Sequence, residues 1–586
     1  MENVMKSNNF DIIGEINGNF GKWQMRTVLL IFLTKIPSAW FMAVIIFSAP
    51  APRDGEFFCH PSVKVLNSHT QEKFERMLDF NKTAWISMMH PTTDSDNDGT
   101  NKIDFCNIYA DAHKVSEMYF HSLSSITEDW ISPNRNDSVI VPCKRFYHHT
   151  DFSTLVTDYN LVCNKDILIA STQFFHLFGV LTGGLLATYL LKHFSPKSVM
   201  LFGMITQIFC GSMTGLVDSY ELHVFFRCLS AICCCQMYTA GGMIFSDITS
   251  GKQKTIVVTL FEQFWSIGVI LLPLLAHLVK SWSHLYLAIS WPTVVLIILW
   301  RWIPNSPRWL LANGRIDEVR DILIESAIVN DRKNVLPSNL EFLLRQQAYN
   351  MQNQLPPAGW WTLWKGPTAS FRNMVCVHIC WSIYIITYYG MLLNIRSFSR
   401  EHLEINTMIA GCCEILGVFV GLILILYTRR KWLYTGLFNI IAGLIAYSAW
   451  LIPLDIEVNL RVSLLMLSSM VSKAAISCTL AILTTCTTEL VSENQKKICA
   501  FSTIVYARIF LLSAPFIGAT IVFGQLIPQT SFTTLSIFGG ILSTLISSPR
   551  TLNTPVKHSN FSKEIFPEIY TIKNFDSLST TDKPKG

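Results

Sequence analysis

The sequence predicts an all-α polytopic membrane protein, with about twelve spanning helices in two pseudo-symmetric six-helix bundles and both termini in the cytoplasm. Three observations carry this. Of 586 residues, 50% are hydrophobic and only 15% charged, against about 25% in a soluble chain. The apolar residues gather into runs long enough to cross a bilayer core. Basic residues recur in every second connection between those runs, which marks one side as cytoplasmic.

Taken in order, the polar segment 1–24 is expected to be a cytoplasmic N-terminus. It carries no secretory signal, because the first run is long enough to span and lacks a cleavage-site pattern. The N-terminal bundle, 25–303, holds the runs 25–47, 167–191, 199–217, 221–245, 256–279 and 284–303. The C-terminal bundle, 373–548, holds 373–394, 403–427, 432–452, 460–487, 499–523 and 528–548. Lys192 and Lys197 follow the second run, Lys252 and Lys254 the fourth, Arg429, Arg430 and Lys431 the eighth, Lys496 and Lys497 the tenth. These connections therefore face the cytoplasm.

The halves meet at a cytoplasmic connecting loop, 304–372. Pro304 and Pro307 end the sixth helix, since proline has no N–H to continue the ladder. A helix is expected from Ile316 to Ala327, apolar at Ile316, Val319, Ile322, Leu323 and Ala327, and is read as an ordinary surface helix. The tail, 549–586, is polar and expected to be disordered.

The large loop 48–166 then lies outside. It carries N-glycosylation sequons at Asn81 and Asn136. It also holds four cysteines, Cys59, Cys106, Cys143 and Cys163, an even set in a polar segment that predicts disulfides without fixing their connectivity. Asp94–Gly99 lacks the downstream glutamate of a calcium loop and reads as a solvated turn. No phosphate-cradling glycine motif and no nucleophile–base set is present, so the chain is not expected to be an enzyme or to use a cofactor or metal. The +5 formal charge points to no nucleic-acid partner.

Several local patterns converge on one family. Asn305–Leu311 (NSPRWLL) resembles the segment after the sixth span of the organic cation, carnitine and organic anion transporters, the solute carrier family 22-like branch of the major facilitator superfamily. Phe20–Gln24 (FGKWQ) is similar to that family's entry to the first span, and Cys143 through Leu161-Val162-Cys163 to the end of its outer loop. Tyr388-Tyr389-Gly390 with Asn394 resembles its seventh span, and Ala507-Arg508 through Pro515-Phe516 its eleventh. Arg227 and Asp247 are spaced like its arginine and acid bracketing the fourth span, and Glu489-Leu490 with Lys496 like its acid and base after the tenth.

The resemblance implies two bundles alternately open to each side of a central cavity, with gating groups Lys192, Arg227, Asp247, Lys254, Arg308, Arg429, Arg430, Glu489 and Lys496, most of them at the cytoplasmic face. The chain departs from the family there. Lys192 stands in place of an aspartate, Asn305 of a glutamate, and Lys254 and Lys496 of arginines, so the latch is weaker or differently wired.

A charge in the bilayer core costs at least about 2.5–3.5 kcal/mol, so each needs a reason. Lys35, Glu414, Lys473 and Arg508 lie inside the first, eighth, tenth and eleventh runs. The resemblance implies that Glu414 and Arg508 face the cavity; arginine at the latter position goes with the anion and carnitine-type branches. Its planar fork suits a carboxylate. Glu414 is expected to balance it or to meet the ammonium of a zwitterion, and Lys35 to add a second cation. Lys473 reads as partly structural. Trp381, Tyr384, Tyr388, Tyr389 and Tyr238 complete the expected substrate pocket, since aromatic faces hold ammonium groups. Glu262 is left open between a proton carrier and an ion-pair partner.

The expected activity is secondary transport of small organic ions, favouring carnitine-like zwitterions or organic anions, with a coupling ion or exchanged solute and the lipid bilayer as the other partners. One alternative is a cation transporter reading its substrate through Glu414 and the aromatics. A second is a transporter-shaped receptor that does not cycle. Plasma membrane is the expected location, and oligomeric state is not readable.

Overall fold

A computed structural model describes residues 11–546, apart from 19, 53–54, 60–85, 87–88, 94–101, 111, 113–138, 151, 353–358, 366–367, 398–401, 454–455 and 525. Asn81, Asn136, the acidic turn and the C-terminal tail lie outside the described residues.

Eleven helices among the described residues are long and apolar enough to cross a membrane. They are α1 Lys22–Ser48, α2 Ile167–His193, α3 Pro196–Leu216, α4 Tyr220–Ile248, α5 Gly251–Leu278, α6 Trp282–Trp300, α7 Thr368–Asn394, α8 Leu403–Tyr427, α9 Lys431–Tyr447, α10 Val458–Cys486 and α11 Lys496–Phe523. A further helix, α12 (Ile527–Leu545), is less apolar because its buried side carries Gln529, Thr533, Ser536 and Ser543. Ser536 reaches Asn439 of α9 at 3.3 Å and Gln529 reaches Ser468 of α10 at 3.2 Å, so this polar side is spent inside the protein.

Small residues set the packing within each half. Gly179 and Gly183 of α2 lie against the backbone of α4 at Cys228 and Ile232. Gly417 and Gly421 of α8 lie against the backbone of α10 at Ala474 and Cys478. A methyl group at any of the four would come within 3.0 Å of its neighbour, so glycine is what lets the helices touch. The same spacing in both halves repeats one packing solution.

Prolines interrupt three helices, and two of the breaks serve the site. Pro37 offers no N–H to the Leu33 carbonyl, and the ladder of α1 gives way between Phe32 and Lys35. Ile36 N–H donates to Leu33 O at 3.2 Å instead, and the Thr34 hydroxyl to Ile31 O at 2.6 Å. Pro515 likewise ends the first segment of α11 at Leu511, which leaves Arg508 in that segment's last turn, where the helix dipole favours a cation. The third break, at Pro292, bends α6.

Among its described residues, the loop between α1 and α2 forms a small domain with three two-stranded antiparallel pairs. β1 (Phe57–Cys59) pairs with β6 (Phe146–His148), β2 (Thr92–Thr93) with β3 (Lys102–Ile103), and β4 (Asn107–Tyr109) with β5 (Ile140–Pro142). Disulfides join Cys59 to Cys143 and Cys106 to Cys163, the second tying the domain to the start of α2.

At the opposite end of the helices, the segment between α6 and α7 contributes helices Pro307–Ala312, Ile316–Val329 and Leu340–Gln352. The Ser306 hydroxyl caps the first by accepting from Trp309 N–H at 3.1 Å, with Pro307 at its first position. The second is no free surface helix. It buries Ile316, Val319, Leu323 and Ala327 in one cluster with Ile12, Ile13 and Ile16 of a short N-terminal helix, Ile12–Asn17. The Ser326 hydroxyl donates to Asn17 Oδ1 at 2.7 Å, and Asn330 Oδ1 accepts from Trp23 N–H at 3.0 Å. The periodicity is what the sequence shows; the docking partner lies about three hundred residues away in the chain.

Candidate functional site

Between the halves lies a cavity of about 380 Å³, walled by α1, α2, α4 and α5 of one half and α7, α8, α10 and α11 of the other. Its lining continues to Thr188, Thr484 and Phe501, close to the ends of α2, α10 and α11 that carry the connecting helices. Toward the disulfide-bonded domain the halves touch. Arg396 donates to Ala49 O at 3.2 Å, His277 meets Glu404 at 3.2 Å, and the rings of Phe174 and Phe516 lie 5.8 Å apart. Residues 39–46 and Met391–Leu393 share one buried cluster.

Three cations and two carboxylates stand at or behind the cavity wall. Lys473 of α10 pairs with Glu414 of α8 at 2.6 Å, and its ammonium also donates to Tyr388 O at 3.2 Å and lies over the Tyr388 ring at 4.1 Å. Glu414 therefore balances Lys473 and not Arg508, which corrects the expectation from sequence. Lys35 of α1, at the break before Pro37, pairs with Glu262 of α5 at 3.0 Å. Its ammonium also faces the rings of Tyr238 at 4.6 Å, Phe261 at 4.7 Å and Trp265 at 5.9 Å.

Arg508 is left with neutral partners among the described residues. Its Nη2 donates to the Tyr238 hydroxyl at 3.0 Å, and its Nη1 to Val180 O at 3.2 Å and toward Cys235 Sγ at 3.6 Å. All three belong to the opposite half. Gly184 makes this approach possible, because a Cβ there would overlap Arg508 Nη1. With one unmatched guanidinium, the site carries a formal charge of +1 in a wall otherwise largely apolar. A charge so placed is screened far less than on a surface.

The aromatic residues divide. Trp381, Tyr388, Tyr389 and Tyr238 line the cavity. Trp381 is held by its indole N–H to Thr487 Oγ1 at 3.0 Å. Tyr389 packs edge-on to Tyr388 at 5.1 Å and to Trp265, across the interface, at 5.7 Å. Tyr384 is fully buried on the other side of α7, where its hydroxyl lies 3.4 Å from Ser543 of α12 and its ring abuts Gly539. The structure does not bring it to the cavity. His176, Phe261 and Gly184 also line the site without having stood out in the sequence, which gives no sign of their depth or facing.

The expected gating residues divide too. Asp247 accepts from the Ser306 hydroxyl, its backbone carbonyl accepts from Arg308 Nε at 3.2 Å, and Arg308 pairs with Asp11 at 2.6 Å. Lys254 lies within electrostatic reach of Asp247. Lys431 pairs with Glu489 at 2.6 Å. Both ion pairs stay within one half. Lys192, Arg429 and Arg430 are exposed at the same end, and Lys496 begins α11 there. Arg227 is not at this end. It is fully buried near the start of α4, where its guanidinium donates to Gln173 Oε1 at 2.6 Å and to the Tyr286 hydroxyl, inside the N-terminal half. Its depth, seven residues from the domain-side end of α4, excludes it from the connector face.

Comparison with known proteins matches residues 165–512 to the Major Facilitator Superfamily model. Among curated proteins, the chain is 24% identical over 430 residues to organic anion transporter 3 of Sus scrofa, covering 72% of this chain and 77% of that one. It is 26% identical over 437 residues to solute carrier family 22 member 12 of Rattus norvegicus, covering 74% and 77%. With the organic cation transporter-like protein of Drosophila melanogaster it shares 22% identity over 576 residues, 94% of this chain and 93% of that one. Among solved structures, the xylose transporter XylE of E. coli in a partially occluded inward-open conformation aligns with a TM-score of 0.53 at 11% identity, covering 89% of this chain and 98% of that one. With its repeated helix packing, its cavity between two halves and a match over more than half its length, this multi-pass membrane chain belongs to the Major Facilitator Superfamily.

Proposed function

We propose that this chain is a plasma-membrane secondary transporter that moves small organic anions by alternating access, holding the substrate's anionic group at Arg508. The observation that carries this is the charge pairing in the cavity. Glu262 and Glu414 are each matched by a lysine, whereas Arg508 has only neutral partners. A carboxylate or sulfonate entering the cavity meets an unmatched planar fork and can accept two parallel hydrogen bonds. Tyr388, Tyr389, Trp265 and Trp381 then offer apolar and aromatic surface to the rest of the molecule. A carnitine-like zwitterion is less favoured, because its ammonium finds no unmatched carboxylate. The relatives named above carry names drawn from both anion and cation transporters, so this reading is supported by the pairing and not by the family.

In this reading the disulfide-bonded domain is extracellular and both termini are cytoplasmic. The cavity is then reached from the cytoplasm, and Asp247, Arg308, Lys254, Lys192, Arg429, Arg430, Glu489 and Lys496 stand at the gate. No ATP chemistry is involved; substrate and counter-solute gradients drive the cycle.

Uptake by cells expressing the chain tests the proposal with three labelled probes: an aryl carboxylate, a carnitine-like zwitterion and tetraethylammonium. Saturable carboxylate uptake is expected, falling about ten- to a hundredfold in Arg508→Ala at equal surface amount. Cation uptake indifferent to Arg508 would overturn it. Saturable binding without accumulation would instead make the chain a receptor.

A further inference from the structure

We propose that Lys35 is a built-in occupant of a cation cage, and that its tethered ammonium is what turns this cavity away from organic cations. The inference deepens the anion reading and rests on it.

The surroundings of Lys35 are those expected around a bound ammonium. Its Nζ has a carboxylate at 3.0 Å (Glu262) and three ring centroids at 4.6, 4.7 and 5.9 Å (Tyr238, Phe261, Trp265). Rings at these distances attract a cation through their quadrupoles, and aromatic cages are used to recognise quaternary ammonium groups. All four of these side chains line the cavity, so the cage opens into the substrate space and is not sealed in the core. The Glu262 side chain is 40% exposed while that of Lys35 is 9% exposed, so the carboxylate faces the cavity and the ammonium fills the cage.

The backbone is arranged to deliver that ammonium. The break before Pro37 starts a new helix at Lys35, and the side chain enters the cage from the first turn. Tyr238 links this cage to the anion site, since its ring faces Lys35 while its hydroxyl accepts from Arg508. One cavity thus contains an anion subsite that is vacant of charge partners and a cation subsite that the chain fills itself. A soluble cation entering now meets Glu262 already neutralised and rings already engaged. Removing the lysine would leave Glu262 unmatched, lower the formal charge of the site from +1 to 0, and open the space between the rings.

The test is a gain of function. Lys35→Ala and, as a second replacement, Lys35→Ser are expressed in cells, and labelled tetraethylammonium uptake is measured per surface copy. In parallel, the purified full-length variants are melted with and without tetraethylammonium. The expectation is a rise in uptake on the order of tenfold or more over the unaltered chain, with stabilisation by the cation. Adding Glu262→Gln to either variant should abolish the gain. Absence of both gains in variants that melt cooperatively would overturn the cage, as would a gain that survives Glu262→Gln. Neither result touches the Arg508 reading, which fails instead if the unaltered chain takes up tetraethylammonium irrespective of Arg508.

Discussion

Lys473 and Glu414 form an ion pair of 2.6 Å between α10 and α8, with side chains only 2% and 0% exposed. Two charges taken so far from water are tolerated because each is the other's counter-ion, and removing one leaves the other stranded. Lys473→Ala should therefore destabilise the protein by about 3–5 kcal/mol. Replacing both, Lys473→Met with Glu414→Leu, should recover most of that loss. Thermal unfolding of the purified single and double variants gives the comparison; a double variant no better than Lys473→Ala would show that the pair is not the stabilising element.

Gly184 is predicted to govern the position of Arg508. Since a Cβ at this position overlaps Arg508 Nη1, Gly184→Ala should push the guanidinium off Val180 and Tyr238. The expected result is an uptake KM raised about tenfold, with little change in melting temperature. Equal uptake by Gly184→Ala and the unaltered chain would mean that Arg508 works from another position.

The outer domain should depend on its two disulfides. They close chain separations of 84 and 57 residues, and each loop closure contributes about 4 kcal/mol in the chain-entropy account. Only four side chains, Phe58, Ile86, Met89 and Ala112, form its buried apolar cluster among the described residues. Cys59→Ser or Cys106→Ser should expose the domain to limited proteolysis while the helices stay resistant. A protease pattern unchanged in both variants would contradict this.

Acidification should loosen the same domain. His90 is buried beside Cys59; its Nε2 accepts from Cys59 N–H at 3.4 Å, and its Nδ1–H faces Asn107 O at 2.9 Å and Asp104 O at 3.1 Å. That arrangement needs the neutral ring, and burial holds the pKa below its ordinary 6.5. Burial lowers His148 as well. Below pH 6.5 the unfolded imidazoles take up protons that the folded ones refuse, so their stabilising contribution is complete above 6.5 and declines as pH falls toward the folded values. Hydrogen exchange in the domain should accelerate between neutral pH and about pH 5, once corrected for intrinsic rates, and a pH-independent opening constant would rule the mechanism out.

The fold class was legible because lipid imposes a crude requirement: long apolar runs with every backbone group satisfied inside the helix. That signal blurs where a helix hides polar groups, as on the buried side of α12. The site was legible as a set of costly residue types but not as a set of pairs. Five charges at depth could be named from sequence, yet which lysine neutralises which glutamate depends on how α1 meets α5 and α8 meets α10. Facing was partly recoverable. At about 100° per residue, Trp381, Ile385, Tyr388 and Tyr389 share one arc of α7, and Tyr384 falls about 90° from its centre. Tyr384 is nevertheless only about 40° from Tyr388, so turn geometry alone does not separate it from the others.

The docking of Ile12–Asn17 on the helices after α6 has a consequence for biosynthesis. Asn17 and Ser326 are 309 residues apart, and synthesis proceeds at roughly 5–20 residues per second. The helix Ile12–Asn17 therefore waits many seconds for its partner, with Ile12, Ile13 and Ile16 unburied while α1 to α6 are being inserted. The N-terminal half can close its connector face only after Leu323 and Ser326 have left the ribosome. Chains stopped before that point should remain open to chaperones and proteases at their beginning, whatever the state of the helices already in the membrane.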